Sequence, residues 1–328
     1  MKSAKEEVIG VVLLNLGGPE RLEEVEPFLF NLFSDRKIIR LSPFAFLQKF
    51  IARKIARKRA PKSAQAYKLI GGGSPLNRIT GEQGKALEVS LAEHGVFKVG
   101  MAMRYWKPYA GEILADFAGQ GIHRIIALTL YPHYSKATTG SSIDDLMGVA
   151  AGFKEPFEIS TVESYPDHQG YVKALAGTIG EGIRRFGGEK FQVVYSAHSL
   201  PVNFIKEGDP YVDHLVKTIR AVEKSTNLTG KLCYQSRSGP VEWLSPSTPE
   251  MLEALAAEGC SNVLMVPISF VSDHVETLYE IDMLYKDQAR DLGIRLERTE
   301  SLNTNPVFIN ALKDLVLSAK GKPEEESS

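Results

Sequence analysis

Short apolar runs rich in Val, Ile and Leu alternate with stretches of helical periodicity along nearly the whole chain. The runs are EVIGVVLLNL (7–16), VFKVGMAM (96–103), HRIIALTLYP (123–132) and FEISTVE (157–163), followed by FQVVYSAH (191–198), LCYQS (232–236), NVLMVPISF (262–270) and IRLER (294–298). Helical spacing fills the gaps at 108–119, 168–186, 211–224, 249–258, 273–292 and 305–320. Strands that alternate with helices pack as parallel sheets with helices on both faces, and strands covered on both faces need to be almost continuously apolar. Four such strands occur twice. The expected fold is therefore α/β, with two doubly wound Rossmann-like halves, each a four-stranded parallel sheet flanked by helices. The 328 residues suit two domains of roughly 150 each. The division is expected near residue 165: an N-terminal half (1–165), a C-terminal half (166–304), and a last segment (305–328) whose helix returns to the first half and whose polar tail frays. GIHRIIALTLYPHYS (121–135) and GCSNVLMVPISFVSD (259–273) echo one another faintly, as duplicated halves would.

Several function classes are excluded early. A net charge of −1 creates no global field for nucleic acid. No apolar run reaches the ~18 residues of a membrane span, and MKSAKEEVIG has acids where a signal peptide has an apolar core, so a cytoplasmic protein is expected. Two cysteines, Cys233 and Cys260, make neither a disulfide framework nor a four-thiolate metal site. GGGSP (71–75) lacks the Gly-Lys-Ser/Thr ending of a phosphate loop, NLGGPE (15–20) is no dinucleotide fingerprint, and no G-x-S-x-G elbow is present.

The near-zero net charge hides an asymmetry. Between Arg36 and Gly81 there are twelve Lys/Arg and no Asp or Glu, densest in KFIARKIARKRAPK (49–62). Wound as a helix, Phe44, Leu47, Ile51 and Ile55 form one stripe and Lys49, Arg53 and Arg57 another. A solvated helix face explains such a pattern; a cationic amphipathic element meeting an anionic lipid surface or an acidic ligand explains it too.

Ligands of open α/β sheets bind beyond the carboxyl ends of the strands, so the residues just after each run are the candidates. His198 ends the fifth run; at that edge a neutral imidazole can take a proton or meet a metal. Glu276 and Glu280 follow the seventh run four residues apart, on one helix face beside His274. Asp273 three residues before Glu276 also fits a capping box, which would make Glu276 structural. Imidazole with carboxylates suits a hard or intermediate cation in passage, and zinc spacings are absent. Tyr105, Trp106, Tyr131, Tyr134, Trp243 and Phe270 stand at or past strand ends, where aromatics can line a cleft for a large planar ligand whose acid groups Arg104 and the basic block could meet.

Taken in order, LNLGGPE, GGGSPL, MRYWKP, LYPHYSKATTGSS, SAHSLP, GDPY, QSRSGPVEWLSP and VPISFVSDHVETLYEID resemble the ferrochelatases, which insert Fe²⁺ into a porphyrin, collinearly from about residue 8 to about 314. The resemblance implies a chelatase-like fold with His198 and Glu276 facing one another across the porphyrin, able to meet the metal. Asp273, His274 and Glu280 would surround that glutamate. It further implies porphyrin contacts from Arg104 and Tyr105 on the other wall, Trp243 above the macrocycle, Leu16 at the first-strand exit, and Arg59, Tyr67 and Ser74 toward the porphyrin carboxylates. Fe²⁺ is then a substrate and no cofactor is permanently bound. An iron–sulfur cluster like that of the animal enzymes is not expected, because Lys136 stands at its internal cysteine position and two cysteines are too few. Leu16 is similar to the branch that metallates protoporphyrin IX; the coproporphyrin branch typically has tyrosine there. A porphyrin carrier without catalysis would be expected to lose the carboxylates, and both are present. A cobalt or nickel chelatase of tetrapyrrole synthesis would lack the SAHSLP and HVETLYE pair. The implied partners are protoporphyrin IX, ferrous iron and, through segment 41–62, an anionic membrane surface met peripherally on the inner face.

Overall fold

The computed structural model describes residues 7–237 and 239–321; the expected frayed tail and the first six residues lie outside these. Two sheets form, each of four parallel strands. The first contains β1 (Val8–Asn15), β2 (Val96–Met103), β3 (Arg124–Thr129) and β4 (Glu158–Val162) in the order β2-β1-β3-β4. The second contains β5 (Gln192–His198), β6 (Gly230–Gln235), β7 (Asn262–Pro267) and β8 (Arg295–Arg298) in the order β6-β5-β7-β8. Both sheets use the same permutation, and the two echoing segments are the third strand of each. All eight expected strands are present.

Three helices, α1 (Val25–Ser34), α2 (Ala45–Leu69) and α3 (Leu76–Leu91), occupy the long passage from β1 to β2, and α4 (Ala110–Gly119) and α5 (Ser141–Ala150) follow β2 and β3. After α6 (Gln169–Arg184) leads into the second sheet, α7 (Val202–Lys206) and α8 (Tyr211–Thr226) separate β5 from β6, and α9 (Thr248–Ala257) separates β6 from β7. Then come α10 (Lys286–Asp291) before β8 and α11 (Pro306–Lys320). One apolar core joins the sheets: Val11 and Leu128 on one side, Val193 and Val266 on the other, with Tyr171, Ile179, Phe308 and Leu312 of α6 and α11 between them. α11 packs on both α3 and α6.

Two helical expectations are corrected. The single helix anticipated over 273–292 is a π-helical stretch, Glu276–Tyr285, followed by α10. At its start the Thr277 hydroxyl donates to the His274 carbonyl and the Asp273 carboxylate, and it accepts from the His274 N–H. Such local side-chain bonds compete with regular helical pairing. In α2 the buried line is Gln48, Ala52 and Ala56 rather than the Phe44 stripe. Alanines let α2 lie close on α1, and the Gln48 amide donates to the Phe33 and Ile39 carbonyls, tying the helix to the last turn of α1 and to the loop after it. Phe44, Phe46 and Phe50 are left 61%, 77% and 57% exposed. Among the described residues no helix is long and apolar enough to cross a membrane.

Candidate active site

Because β5 lies between β6 and β7, the carboxyl ends of these three strands are neighbours, and residues just past them meet. His198 closes β5 in register with Gln235 of β6. Its backbone is fixed on both sides: its N–H donates to Ser269 Oγ at 2.9 Å, and the Tyr211 hydroxyl donates to its carbonyl at 3.0 Å. Its Nδ1 donates to Glu276 Oε2 at 2.8 Å. In the neutral ring this leaves the lone pair on Nε2.

This contact corrects the expectation that a porphyrin separates His198 from Glu276. They share a hydrogen bond on one wall, since β5 and β7 are paired neighbours and their exits lie too close for a ring to pass between. The capping-box alternative also fails. The Glu276 carboxylate turns to His198 and Ser236, and the Asp273 N–H donates to Asn303 Oδ1 instead.

Behind Glu276 is a second carboxylate. Ser236 Oγ lies 2.8 Å from Glu276 Oε2 and 2.6 Å from Glu280 Oε2, joining the two. Ser236 has φ 64°, the left-handed region that a side chain other than glycine's rarely adopts, a strain found mostly at functional sites. The Gln235 amide donates to the Glu276 carbonyl at 3.1 Å and to Glu280 Oε2 at 3.3 Å, and Ser196 Oγ donates to its oxygen. The electrostatics follow from burial and this contact. Burial disfavours the His198 imidazolium, but Glu276 against it and Glu280 beyond raise its pKa above the ordinary value. Burial likewise works against the Glu276 carboxylate, yet His198 and the Ser236 hydroxyl hold it well below the usual range. Glu280 is pushed up to about 7 by burial and by the negative charge of Glu276. A buried His274 has its pKa lowered mainly by desolvation; Nδ1 donates to the Ser272 carbonyl, and the ring packs on Phe270.

The first half contributes the covering elements. Tyr67 of α2 is buried with Tyr105, Leu16 and Val275 in one cluster. Its phenol pKa is raised by burial and by Glu276, the charge from the second half reaching across to it. Ser74 and Leu16 sit where two glycine turns meet: a Cβ on Gly73 would overlap the Glu20 carbonyl, and one on Gly18 would lie 2.6 Å from Ser74 Oγ. The glycines of GGGSP and NLGGP thus let these two turns touch. Arg59 stacks over Phe33 of α1 at 5.3 Å, and Trp243 bridges Pro201, three residues beyond His198.

Arg104 and Tyr105 form a separate knot around Asp35, a residue the sequence reading passed over. Asp35 Oδ2 accepts from Ser141 Oγ at 2.5 Å, Tyr105 OH at 2.7 Å and Arg104 Nη2 at 3.0 Å. The other guanidinium nitrogens meet Ser141 Oγ at 2.8 Å and Asp145 at 3.3 Å. This knot lines an open cavity of about 570 Å³ between α1, α2, α4 and α5 that includes Phe30, Lys49 and Tyr109. Asp273 is also tied elsewhere, to Arg298, Ser301 and Asn303. Missed at the sequence level were Asp35, Ser141, Gln235, Ser236 and Arg298. Gln235 and Ser236 end and follow a strand at the ligand edge, the signal that had pointed to His198.

Two doubly wound halves with an imidazole–carboxylate pair at the strand ends define a protein of the chelatase fold. SirB from Bacillus subtilis with Fe³⁺ superposes with a TM-score of 0.56 at 12% identity, covering 95% of this chain and 96% of that one. The sirohydrochlorin chelatase SirB from Bacillus subtilis subspecies spizizenii in complex with cobalt gives 0.55 at 13% identity, covering 97% of each. Sequence narrows the class: residues 8–320 match the ferrochelatase family profile. The ferrochelatase of Desulfotalea psychrophila is 55% identical over 310 residues, 94% of this chain and 97% of that protein. That of Geotalea uraniireducens is 53% identical over 313 residues, again 94% and 97%. The chain belongs to the ferrochelatase family and is a metal-insertion enzyme of haem biosynthesis.

Proposed function

We propose that the protein inserts Fe²⁺ into protoporphyrin IX to give protohaem, with His198 and Glu276 acting together from one face of the macrocycle. The observation that carries this is the 2.8 Å contact of His198 Nδ1 with Glu276, backed by Glu280 through Ser236, at the ligand edge of the second sheet. Metallation must remove two pyrrole protons and expose nitrogen lone pairs to a metal that sheds water. The Glu276 contact orients the imidazole with Nε2 free and raises its basicity, which suits it to take a pyrrole proton. Glu276 offers the incoming cation an anionic oxygen, and Glu280, titrating near neutrality, stands behind it to receive or release a proton. Leu16, Tyr67, Ser74, Arg59 and Trp243 form the porphyrin walls in this reading, with Arg104 and Tyr105 bracing the first-half wall through Asp35. The test is anaerobic Fe²⁺ with protoporphyrin IX or coproporphyrin III, followed by absorbance. Turnover of protoporphyrin that His198→Ala abolishes in a folded protein supports the reading; preference for coproporphyrin overturns the substrate, and wild-type turnover by His198→Ala overturns the site.

Protoporphyrin is nearly insoluble in water, and the same reading takes α2 to a cytoplasmic membrane face. The exposed Phe44, Phe46 and Phe50 lie among Lys49, Arg53, Lys54, Arg57 and Lys58, an apolar tip ringed by cations as a peripheral contact with anionic lipid requires. Each cation near such a surface contributes about 1 kcal/mol, weakened by salt. Flotation on anionic vesicles should be lost when Arg53, Lys54, Arg57 and Lys58 are all changed to Glu; equal flotation rejects the membrane role.

A further inference from the structure

We propose that Arg298, at the end of β8, is a positioning residue for metal insertion: it clasps Asp273 and Asp282 on either side of Glu276 and thereby fixes that carboxylate against His198. This rests on the reading of Glu276 as a working carboxylate. The Arg298 side chain is only 9% exposed. Its Nε and Nη2 grip the two oxygens of Asp282 at 2.8 Å each. Its Nη1 reaches Asp273 Oδ1 at 3.2 Å, the Thr299 carbonyl at 3.1 Å and Ser301 Oγ at 3.2 Å. Asp273 precedes Glu276 by three residues and Asp282 follows it by six, so one guanidinium holds both flanks of the stretch that carries Glu276 and Glu280.

The leading flank is held further. Asp273 Oδ1 accepts from Ser301 Oγ at 2.7 Å and Thr277 Oγ1 at 3.2 Å, and Oδ2 accepts from Asn303 Nδ2 at 2.8 Å. The Asn303 carbonyl in turn accepts from Gln83 of α3 at 2.8 Å, and Gln83 also donates to Ser272 Oγ at 3.1 Å. The clasp thus extends into the first half. Both Asp273 oxygens are occupied, which makes it a handle of the clasp rather than a group that meets substrate.

A buried ion pair often stabilises no more than apolar residues of equal volume would, but it fixes geometry. A π-helical stretch has looser backbone pairing than an α-helix, so an outside anchor matters more for the carboxylates it carries. Only a planar guanidinium can grip Asp282 with two nitrogens and still reach Asp273 with the third; an ammonium is a point charge and serves one of them well.

The experiment compares kcat and porphyrin KM for wild type, Arg298→Lys, Asp282→Asn, Glu276→Gln and Ile179→Ala, the last being a core truncation in α6 that lowers melting temperature without touching the clasp. Displacing a reacting group by about 1 Å can cost up to about a hundredfold in rate. Arg298→Lys should therefore lower kcat by about tenfold or more with porphyrin KM within about twofold. Asp282→Asn, whose partner pair Arg298–Asp273 remains, should lower it less, and Ile179→Ala not at all. If Arg298→Lys does not fold, Asp282→Asn decides. Wild-type kcat in the folded clasp variants, a change confined to KM, or an equal loss in Ile179→Ala overturns the proposal. Wild-type turnover by Glu276→Gln would instead overturn the reading of Glu276 itself, whereas an inactive Glu276→Gln beside an active Arg298→Lys and Asp282→Asn sinks the clasp alone.

Discussion

Changing Glu276 to Gln keeps the shape of the site but removes the charge that holds up the His198 pKa. In the wild type, burial lowers that pKa and the Glu276 carboxylate more than restores it. A hydrogen bond to a charged group contributes about 1.5–3 kcal/mol. The His198 side chain is 37% exposed, so solvent screening puts this contact at the low end, about 1.5 kcal/mol. The His198 pKa should then fall, because burial remains and the adjacent charge does not. The assay is a pH titration of the His198 ring resonances in the metal-free protein, wild type against Glu276→Gln. Activity moves in the same direction. If neutral His198 is the base, wild-type kcat/KM rises with pH through the raised pKa, and the residual activity of Glu276→Gln, reduced by about a hundredfold or more, rises at lower pH. The sign for stability is different for each partner. The raised His198 pKa contributes stability below 6.5 that is lost as pH rises through the folded value. The depressed Glu276 pKa contributes above 4.5 what is lost as pH falls through its own folded value. Their shared interaction is therefore fullest between 4.5 and 6.5. An unchanged His198 titration in Glu276→Gln would refute the reasoning.

Other substitutions probe the surrounding framework. Asp35→Asn should cost about 2 kcal/mol at pH 7, since the hydrogen bonds to a charged acceptor become neutral ones. Burial alone would raise the Asp35 pKa, but Ser141, the Lys37 N–H, Tyr105 and Arg104 lower it below 3.8, so the difference from wild type in denaturant unfolding should vanish as pH falls below 3.8. Gly73→Ala forces a methyl onto the Glu20 carbonyl and should destabilise the fold by roughly 2–3 kcal/mol, read from the same unfolding curves. Ser236→Ala removes the hydroxyl between two carboxylates and should raise the pH at which Glu280 titrates above about 7, measured by difference infrared spectroscopy of the carboxyl band.

The strands were legible because buried parallel strands have little compositional freedom; the run at 191–198 can hardly be anything else. The helix at 44–69 was legible as a helix but its buried face was not. Hydropathy favours Phe44 and Ile51 for burial, yet close approach to α1 favours Ala52 and Ala56, and phenylalanine remains outside. Hydrophobic periodicity measures which face could be buried; it does not measure the distance at which a partner helix sits. The π-helical stretch was hidden for a related reason. Its side-chain spacing over 276–285 departs only slightly from an ordinary helix, and the bonds of Thr277 that start it depend on where Asp273 and His274 are held.

The site shows a sharper boundary. Residue types at strand ends follow from the sequence, so His198, Glu276 and Glu280 could be named; their mutual arrangement depends on strand order, which periodicity does not encode. Had β6 stood between β5 and β7, a wide gap between His198 and Glu276 would have been reasonable. With β5 central, both become neighbours on one wall, and Ser236 at the end of β6 falls in behind them to join the two carboxylates. The same permutation in the first sheet brings the exits of β1, β2 and β3 together, and there Arg104, Tyr105 and Ser141 gather around a different acid, Asp35. One topology thus yields two polar foci. Only in the second does an imidazole stand against a carboxylate with a raised carboxyl behind it, and it is that placement, rather than the residue list, on which the proposed proton chemistry of the second half rests.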